Sequence, residues 1–154
     1  MKPTQTEPSA LALPVLGWRE WTQIPRLVDV PVKAKIDTGA TTSAIHAANL
    51  VVAHDDSGQA FASFDLHANE KSNQVVKVAD HPVIAFRFVR SSSGHGSYRP
   101  VIRTLLTVGN RSFSADITLA AREQMGFRML LGRAALRGRF QVDPSSSFLQ
   151  GEPS

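Results

Sequence analysis

The chain has 154 residues, which suits a single domain, and 42% of them are hydrophobic, enough for a folded core. It contains no cysteine, which excludes a disulfide scaffold, a thiolate nucleophile and a cysteine-based zinc site. No apolar run approaches the ~18 residues of a membrane-spanning helix, and the N-terminus lacks the pattern of a signal peptide. We therefore expect a cytoplasmic protein without a membrane segment.

The formal net charge of +4 arises in the second half of the chain. Residues 1–80 hold 7 Lys and Arg against 9 Asp and Glu, whereas residues 81–154 hold 10 against 4, and all ten bases there are arginines. Guanidinium groups bind carboxylates and phosphates through paired hydrogen bonds. This bias is compatible with an anionic partner, an acidic peptide or a nucleic acid, and also with the solvated surface that charge runs usually form.

Short strands separated by turns are predicted along most of the chain. Residues 1–13 lack periodicity and predict a flexible leader, and residues 143–154 predict a flexible tail after a folded domain at 14–142. The predicted strands are 15–24, 32–36, 43–45, 60–67, 74–78, 83–89, 98–108 and 111–119. Residues 120–125 predict a helix, and 133–136 a second helical turn. This alternation favours a mainly β fold, a closed or folded-over antiparallel barrel with one or two short helices.

The most informative segment delivers a carboxylate from a strand into a tight turn. The predicted strand 32–36 ends at Asp37, which is followed by Thr38, Gly39 and Ala40. The glycine lets the backbone fold closely beneath the carboxylate, the threonine hydroxyl can hold the turn, and the small alanine leaves space beside it. An Asp-Thr-Gly sequence is also an ordinary Asx-turn, in which aspartate accepts a backbone hydrogen bond from two residues on.

Peptide hydrolysis by carboxylates needs two of them. Two brought together share a proton, so that one acts as the base and the other as the acid. The chain contains one Asp-Thr-Gly sequence. The motif therefore predicts a homodimer in which Asp37 of each copy lies beside the two-fold axis, as the catalytic pair. Asp116 is an alternative second carboxyl from the same chain.

A second segment strengthens the hydrolase interpretation. Residues 129–136 run Met-Leu-Leu-Gly-Arg-Ala-Ala-Leu, which predicts a buried strand, a glycine and a helical turn that begins with arginine. Gly132 would let this strand pass close to the Asp37 turn. Arg133 would support that turn from behind, with a surface salt bridge as the alternative. Retropepsins pair these two devices, an early Asp-Thr-Gly-Ala and a late apolar-apolar-Gly-Arg.

Residues 16–140 as a whole resemble a bacterial and archaeal family of retropepsin-like aspartic peptidases. This family is associated with RimK-type glutamate ligases and is often labelled "ATP-dependent zinc protease". The resemblance rests on six blocks in order: 17–21, 35–40, 43–47, 99–102, 118–122 and 129–136. It implies a retropepsin fold, a dimeric aspartic endopeptidase, acidic or glutamate-rich peptide substrates, and a glutamate ligase as a candidate partner.

The arginine-rich half agrees with an acidic substrate. The candidate substrate-binding residues are Arg87, Arg90, Arg99 and Arg103. Thr41 stands where the family usually has arginine, which removes one cation close to the catalytic turn. Residues 91–96, Ser-Ser-Ser-Gly-His-Gly, are the candidate for a mobile covering loop, with an ordinary surface turn as the alternative.

The zinc and ATP of the family label find no support in the residues. The five histidines lack a His-Glu-x-x-His spacing, and no Gly-x-x-x-x-Gly-Lys-Ser/Thr loop is present. We therefore expect neither metal nor cofactor. The basic half carries no RNA-binding signature, which disfavours nucleic acid. The main alternative to a peptidase is a non-catalytic dimer that holds an acidic tail or a partner enzyme.

Overall fold

The computed structural model describes residues 13–67, 74–90, 94–120 and 126–153. The predicted leader lies outside these residues except for residue 13. The predicted helix at 120–125 also lies outside them, except for Ala120, which ends a strand. Among the described residues, no helix has the length and apolar character needed to cross a membrane.

The described residues are mainly β-strand, as predicted, with one helix of four residues. The elements are β1 (Val15–Leu16), β2 (Arg19–Thr22), β3 (Val32–Ile36), β4 (Ser43–His46), β5 (Ala48–His54), β6 (Ala60–His67), β7 (Val75–Pro82), β8 (Ala85–Arg90), β9 (Gly96–Val108), β10 (Arg111–Ala120), β11 (Met129–Leu131), α1 (Arg133–Leu136) and β12 (Gln141–Val142).

The strands form three sheets, and of the two forms that the sequence left open, closed or folded over, the described strands adopt the folded-over one. The largest sheet has the order β2-β3-β11-β4-β10-β9-β8, beside a sheet β5-β6-β7 and a pair β1-β12. β11 lies between β3 and β4, parallel to the first and antiparallel to the second, so the sheet is mixed. The sheet does fold over, because Gln23 and Thr107 exchange two backbone hydrogen bonds of 2.8 and 2.9 Å.

The core lies around the late strand β11. Met129 and Leu131 on this strand are fully buried, and so are Ile117 and Leu119 on β10. On β10 the predicted alternation is confirmed as far as Ile117, since Phe113, Ala115 and Ile117 pack into the core while Ser114 and Asp116 between them are exposed. Beyond Ile117 the strand is buried on both faces, Thr118 included. Burial of these side chains fixes the position of β11, and therefore of the residues that follow it.

Residues 143–153 pack against the N-terminal strands, so the prediction of a flexible tail is wrong for them. Glu20 is fully buried, and its carboxylate accepts hydrogen bonds from the backbone N–H groups of Gly17 (2.7 Å), Leu149 (2.8 Å) and Gln150 (3.1 Å). The ring of Phe148 also stacks on Trp21, with centroids 5.7 Å apart. Composition predicted flexibility because it could not show these distant partners.

The β8–β9 hairpin extends beyond the body of the large sheet. β10 pairs with β9 only from Val101 onward, whereas β8 pairs with β9 from Gly96. This hairpin arm, residues 85–90 and 96–100, therefore presents two exposed faces. One face carries the exposed rings of Phe86, Phe88 and Tyr98, and the other carries Arg87 and Arg99.

Candidate active site

Asp37 lies directly after β3, at the point where the late strand passes beside it. Leu131 pairs with Ile36 in parallel register, and the backbone N–H of Asp37 donates to the carbonyl of Leu131 over 2.9 Å. The Asp37 side chain is half-buried. The buried strand β11 thus fixes the main chain from which the carboxylate projects.

The turn after Asp37 closes as an Asx-turn. The N–H of Gly39 donates to Oδ1 of Asp37 over 2.9 Å, and the N–H of Ala40 donates to the carbonyl of Asp37 over 3.2 Å. Within the described part of the chain, the bond from Gly39 is the only hydrogen bond to the carboxylate, so Oδ2 remains available to a second group. The Asx-turn is therefore also the device that orients the carboxylate.

Gly132 lets the late segment press against this turn. A Cβ atom at Gly132 would lie 2.6 Å from the carbonyl oxygen of Thr42 and 2.9 Å from that of Ala40. The next two N–H groups, of Arg133 and Ala134, donate to the carbonyls of Ala40 (2.8 Å) and Thr41 (3.0 Å). The close approach that the sequence predicted for this glycine is present.

The Arg133 side chain reaches back over the outside of the same turn. Its Nη1 donates to the carbonyl of Thr38 and its Nη2 to Oγ1 of Thr41, each over 2.9 Å. Arg133 makes these two hydrogen bonds and, among the described residues, no surface salt bridge. Thr41 thus serves as an acceptor for this guanidinium.

Ser43 is a supporting residue that the sequence analysis did not single out. It is buried, and its Oγ accepts the N–H of Gly132 over 3.1 Å. The hydroxyl therefore satisfies a backbone donor at the point of closest approach between the two segments. The only signal in the sequence was a small polar residue at the start of the predicted strand 43–45.

The four candidate arginines do not form one cluster. Arg87, Arg99 and Arg103 lie on the same face of β8 and β9, whereas Arg90 lies on the aromatic face, where its Nη1 donates to the carbonyl of Gly94 over 3.2 Å. Arg103 donates to both carboxylate oxygens of Asp116 (2.7 and 3.3 Å). This hydrogen bonding, with the charge of Asp116, raises the pKa of Arg103.

Arg87 and Arg103 line a groove with a volume of about 540 Å³, and Arg99, the register partner of Arg87, lies next to it without being part of the lining. Its lining comes from the residues after the Asp37 turn, from α1 and its flank, and from the arginine face of the large sheet: Thr42, Arg87, Val101, Arg103, Ser114, Ala115, Asp116, Thr118, Ala134, Ala135 and Arg139. Asp37 itself is not part of the lining. Asp116, the alternative second carboxyl, is committed to Arg103 in this groove.

Two other sequence expectations concern the loop and the metal. Residues 91–93 of the candidate covering loop lie outside the described residues, and Gly94–Gly96 lie at the end of the hairpin arm. In the described ranges, no three His, Asp or Glu side chains come together in a way that could hold a metal ion.

The aspartate turn braced by a late Gly-Arg segment, in a mainly β domain, is the combination that the resemblance to retropepsin-like proteins predicted. The chain belongs to the RimB-like family, whose model, described as "Retropepsin-like aspartic endopeptidase RimB", matches residues 15–153. The resemblance stated from the sequence is therefore confirmed.

Curated relatives carry a different name. Proteins called "Probable alpha-L-glutamate ligase" are 37% identical in Shewanella pealeana (90% of this chain, 30% of that protein) and 38% identical in Desulfotalea psychrophila (94% and 31%). The counterpart in Parasynechococcus marenigrum is 40% identical (90% and 29%). The chain thus spans about 30% of the length of these relatives.

A solved structure shares the fold. A Legionella pneumophila protein of unknown function superposes with a TM-score of 0.69 at 20% identity, covering 89% of this chain and 98% of that one. At this identity the likeness concerns the fold alone.

Proposed function

We propose that the protein is an aspartic endopeptidase that hydrolyses peptide bonds with the Asp37 carboxylates of two copies. The observation that carries the proposal is the bracing of the Asp37 turn from two sides, by β11 on the inside and by Arg133 on the outside. A half-buried carboxylate held this firmly, with one oxygen uncommitted among the described residues, suits proton transfer better than it suits a surface turn.

The chemistry follows from placing two such carboxylates together. Because like charges about 3 Å apart resist simultaneous ionisation, the pair holds one proton. The ionised Asp37 takes a proton from water as that water attacks the scissile carbonyl carbon. The protonated Asp37 of the other copy gives its proton to the carbonyl oxygen. As the C–N bond of the tetrahedral intermediate breaks, the first Asp37 gives the proton it took from water to the leaving nitrogen, and the second Asp37 regains a proton from a hydroxyl of the new carboxyl group.

A homodimer supplies the second carboxylate. The chain has one Asp-Thr-Gly sequence, and Asp116, the other candidate, is bound by Arg103. A two-fold axis beside the exposed Thr38 and Gly39 would bring Asp37 next to its symmetry mate. The proposal therefore includes the homodimer.

The proposed substrate is an acidic or glutamate-rich peptide. It is supported by the arginine face of the groove beside the Asp37 segment. The name of the relatives, which refers to joining glutamate, agrees with a substrate of this kind. We propose that the protein acts in the cytoplasm, as expected from the sequence.

Hydrolysis of a peptide panel by the wild-type protein and by Asp37→Asn tests the proposal. The panel contains glutamate-rich peptides and glutamine-matched controls, and mass spectrometry locates the cut. We expect the wild type to cleave the acidic peptides, unaffected by a chelator, and Asp37→Asn to lose at least about a thousandfold in rate. Cleavage by both proteins at equal rates would show that Asp37 is not the catalytic residue.

A second candidate function is a non-catalytic dimer that binds an acidic tail or a glutamate ligase. It is favoured by one observation, the presence of this domain within longer relatives that are named as ligases. It predicts that neither protein cleaves any peptide while both bind acidic peptides equally well. Binding assays on the same two proteins therefore separate the two candidates.

A further inference from the structure

Arg87 and Arg99 face each other directly across the hairpin arm. They are register partners in the β8–β9 pair, so their side chains leave the same face of the ribbon. Arg87 is exposed and Arg99 half-buried. Directly opposed like charges destabilise a sheet. Such a pair is therefore expected where an anion offsets the repulsion.

Neither arginine has an acidic partner among the described residues. The ion pairs found there are Lys77–Asp65 and Arg103–Asp116. The groove that Arg87 lines contains three arginines against one aspartate, and that aspartate is already bound by Arg103. The remaining positive charge of the groove thus comes from Arg87, on the side of the hairpin arm, and from Arg139.

Arg139 adds charge from a fixed position. Its Nη1 donates to the carbonyl of Ala135 over 3.3 Å, and its guanidinium carbon lies 4.4 Å from the ring centroid of Phe113. The guanidinium is therefore held against α1 and contributes a constant positive potential. The adaptable cations are Arg87 and Arg99.

We propose that Arg87 and Arg99 form a carboxylate-binding subsite that holds an acidic group of the peptide at a distance from the cleaved bond. The inference rests on the proposed function for the ligand being a peptide. The distance follows from the groove lining, which includes Thr42 but not Asp37. The bound carboxylate belongs either to a glutamate side chain or to the C-terminus of the peptide, since both present the same two oxygens.

The distribution of aromatic residues favours a peptide over nucleic acid. Phe86, Phe88 and Tyr98 lie on the opposite face of the arm from the two arginines. Single-stranded nucleic acid is bound by aromatic rings interleaved with cations on one surface. The groove face offers cations and the hydroxyls of Thr42, Ser114 and Thr118 instead, which suit carboxylates.

Binding to an inactive protein tests the subsite without requiring catalysis. Fluorescence anisotropy of a labelled, C-terminally amidated hexaglutamate is measured with Asp37→Asn alone and with Arg87→Gln/Arg99→Gln added. Because hydrogen bonds to charged groups contribute about 1.5–3 kcal/mol, we expect the Kd to rise at least about tenfold. Arg26→Gln, at an exposed position in a loop before β3, is the matched control and should change the Kd less than about twofold.

Two further binding measurements identify which carboxylate is bound and which class of ligand the subsite takes. A hexaglutamine peptide with a free C-terminus should bind in an Arg87/Arg99-dependent manner only if the subsite takes the terminal carboxylate. An oligonucleotide that binds more tightly than hexaglutamate, and that loses binding in the same double variant, would overturn the peptide assignment. Equal losses in Arg26→Gln and in the double variant, or no loss in either variant with both the amidated hexaglutamate and the hexaglutamine with a free C-terminus, would overturn the subsite.

Kinetics separate a failed subsite from a failed peptidase. In the otherwise wild-type protein, Arg87→Gln/Arg99→Gln should raise KM for glutamate-rich peptides about tenfold with kcat unchanged, because the subsite binds ground state and transition state alike. Cleavage with unaltered KM would contradict the subsite and leave the peptidase intact. If the wild type cleaves nothing, the anisotropy result still decides the subsite. Equal thermal unfolding midpoints of the variants confirm that each is folded.

Discussion

At the scale of single residues, the candidate site depends on one glycine as much as on its aspartate. Asp37 can be held from inside the molecule only because the backbone at Gly132 approaches the carbonyls of Ala40 and Thr42. Ser43 then accepts the N–H of this glycine, and Arg133 closes the turn from outside. The sequence predicted the glycine and the arginine, because both belong to a recognisable pair of motifs. Ser43 was missed because its role exists only once the two segments meet.

Gly132→Ala tests this close approach. The added Cβ would lie 2.6 Å from a backbone oxygen, so the main chain has to move, at a cost of about 1–3 kcal/mol in the free energy of unfolding. We expect a lower midpoint in urea denaturation and a large loss of peptidase activity, because the Asp37 turn moves with it. Gly126→Ala, where an added Cβ meets no atom of the described residues within 4 Å, is the control. Equal stability of the two variants would show that the contact at Gly132 is not tight.

At the scale of elements, the C-terminal segment is a structural part of the domain. Its residues supply two of the three N–H groups that satisfy the buried Glu20 carboxylate. It begins at Asp143, which accepts hydrogen bonds from Ser145 N (3.0 Å), Ser145 Oγ (2.6 Å) and Ser146 Oγ (3.0 Å). These bonds hold the pKa of Asp143 below its ordinary value of 3.8, and the bond from the Ser145 hydroxyl contributes most to this lowering.

The lowered pKa gives a prediction with a defined sign. A carboxyl whose pKa is depressed in the folded state stabilises that state above its unfolded pKa, and this contribution is lost as the pH falls through the folded pKa. Asp143→Asn should therefore lower the thermal midpoint at pH 7 and differ less and less from the wild type below about pH 3.8. Asp29→Asn, at an exposed position, is the control. A difference that stays constant down to pH 2 would contradict the role of ionised Asp143.

At the scale of the whole molecule, local pattern predicted the strand content but not the order of the strands. The mainly β class followed from alternation and turn residues, which are local properties. The insertion of β11 between β3 and β4 depends on contacts nearly one hundred residues apart along the chain, such as Met129 with Ala34. Sequence pattern carries no direct record of such contacts, so a closed or folded-over antiparallel barrel was predicted where the folded-over sheet is in fact mixed.

The proposed mechanism is a property of the assembly, because each copy contributes one Asp37. The most direct test mixes wild-type and Asp37→Asn chains at a fixed total concentration, with different tags to confirm that the copies exchange. If the active unit needs Asp37 from both copies, only the wild-type pairs hydrolyse peptide. An equal mixture then retains about one quarter of the wild-type activity. Retention of about one half would mean that each chain acts alone, and would contradict the shared site.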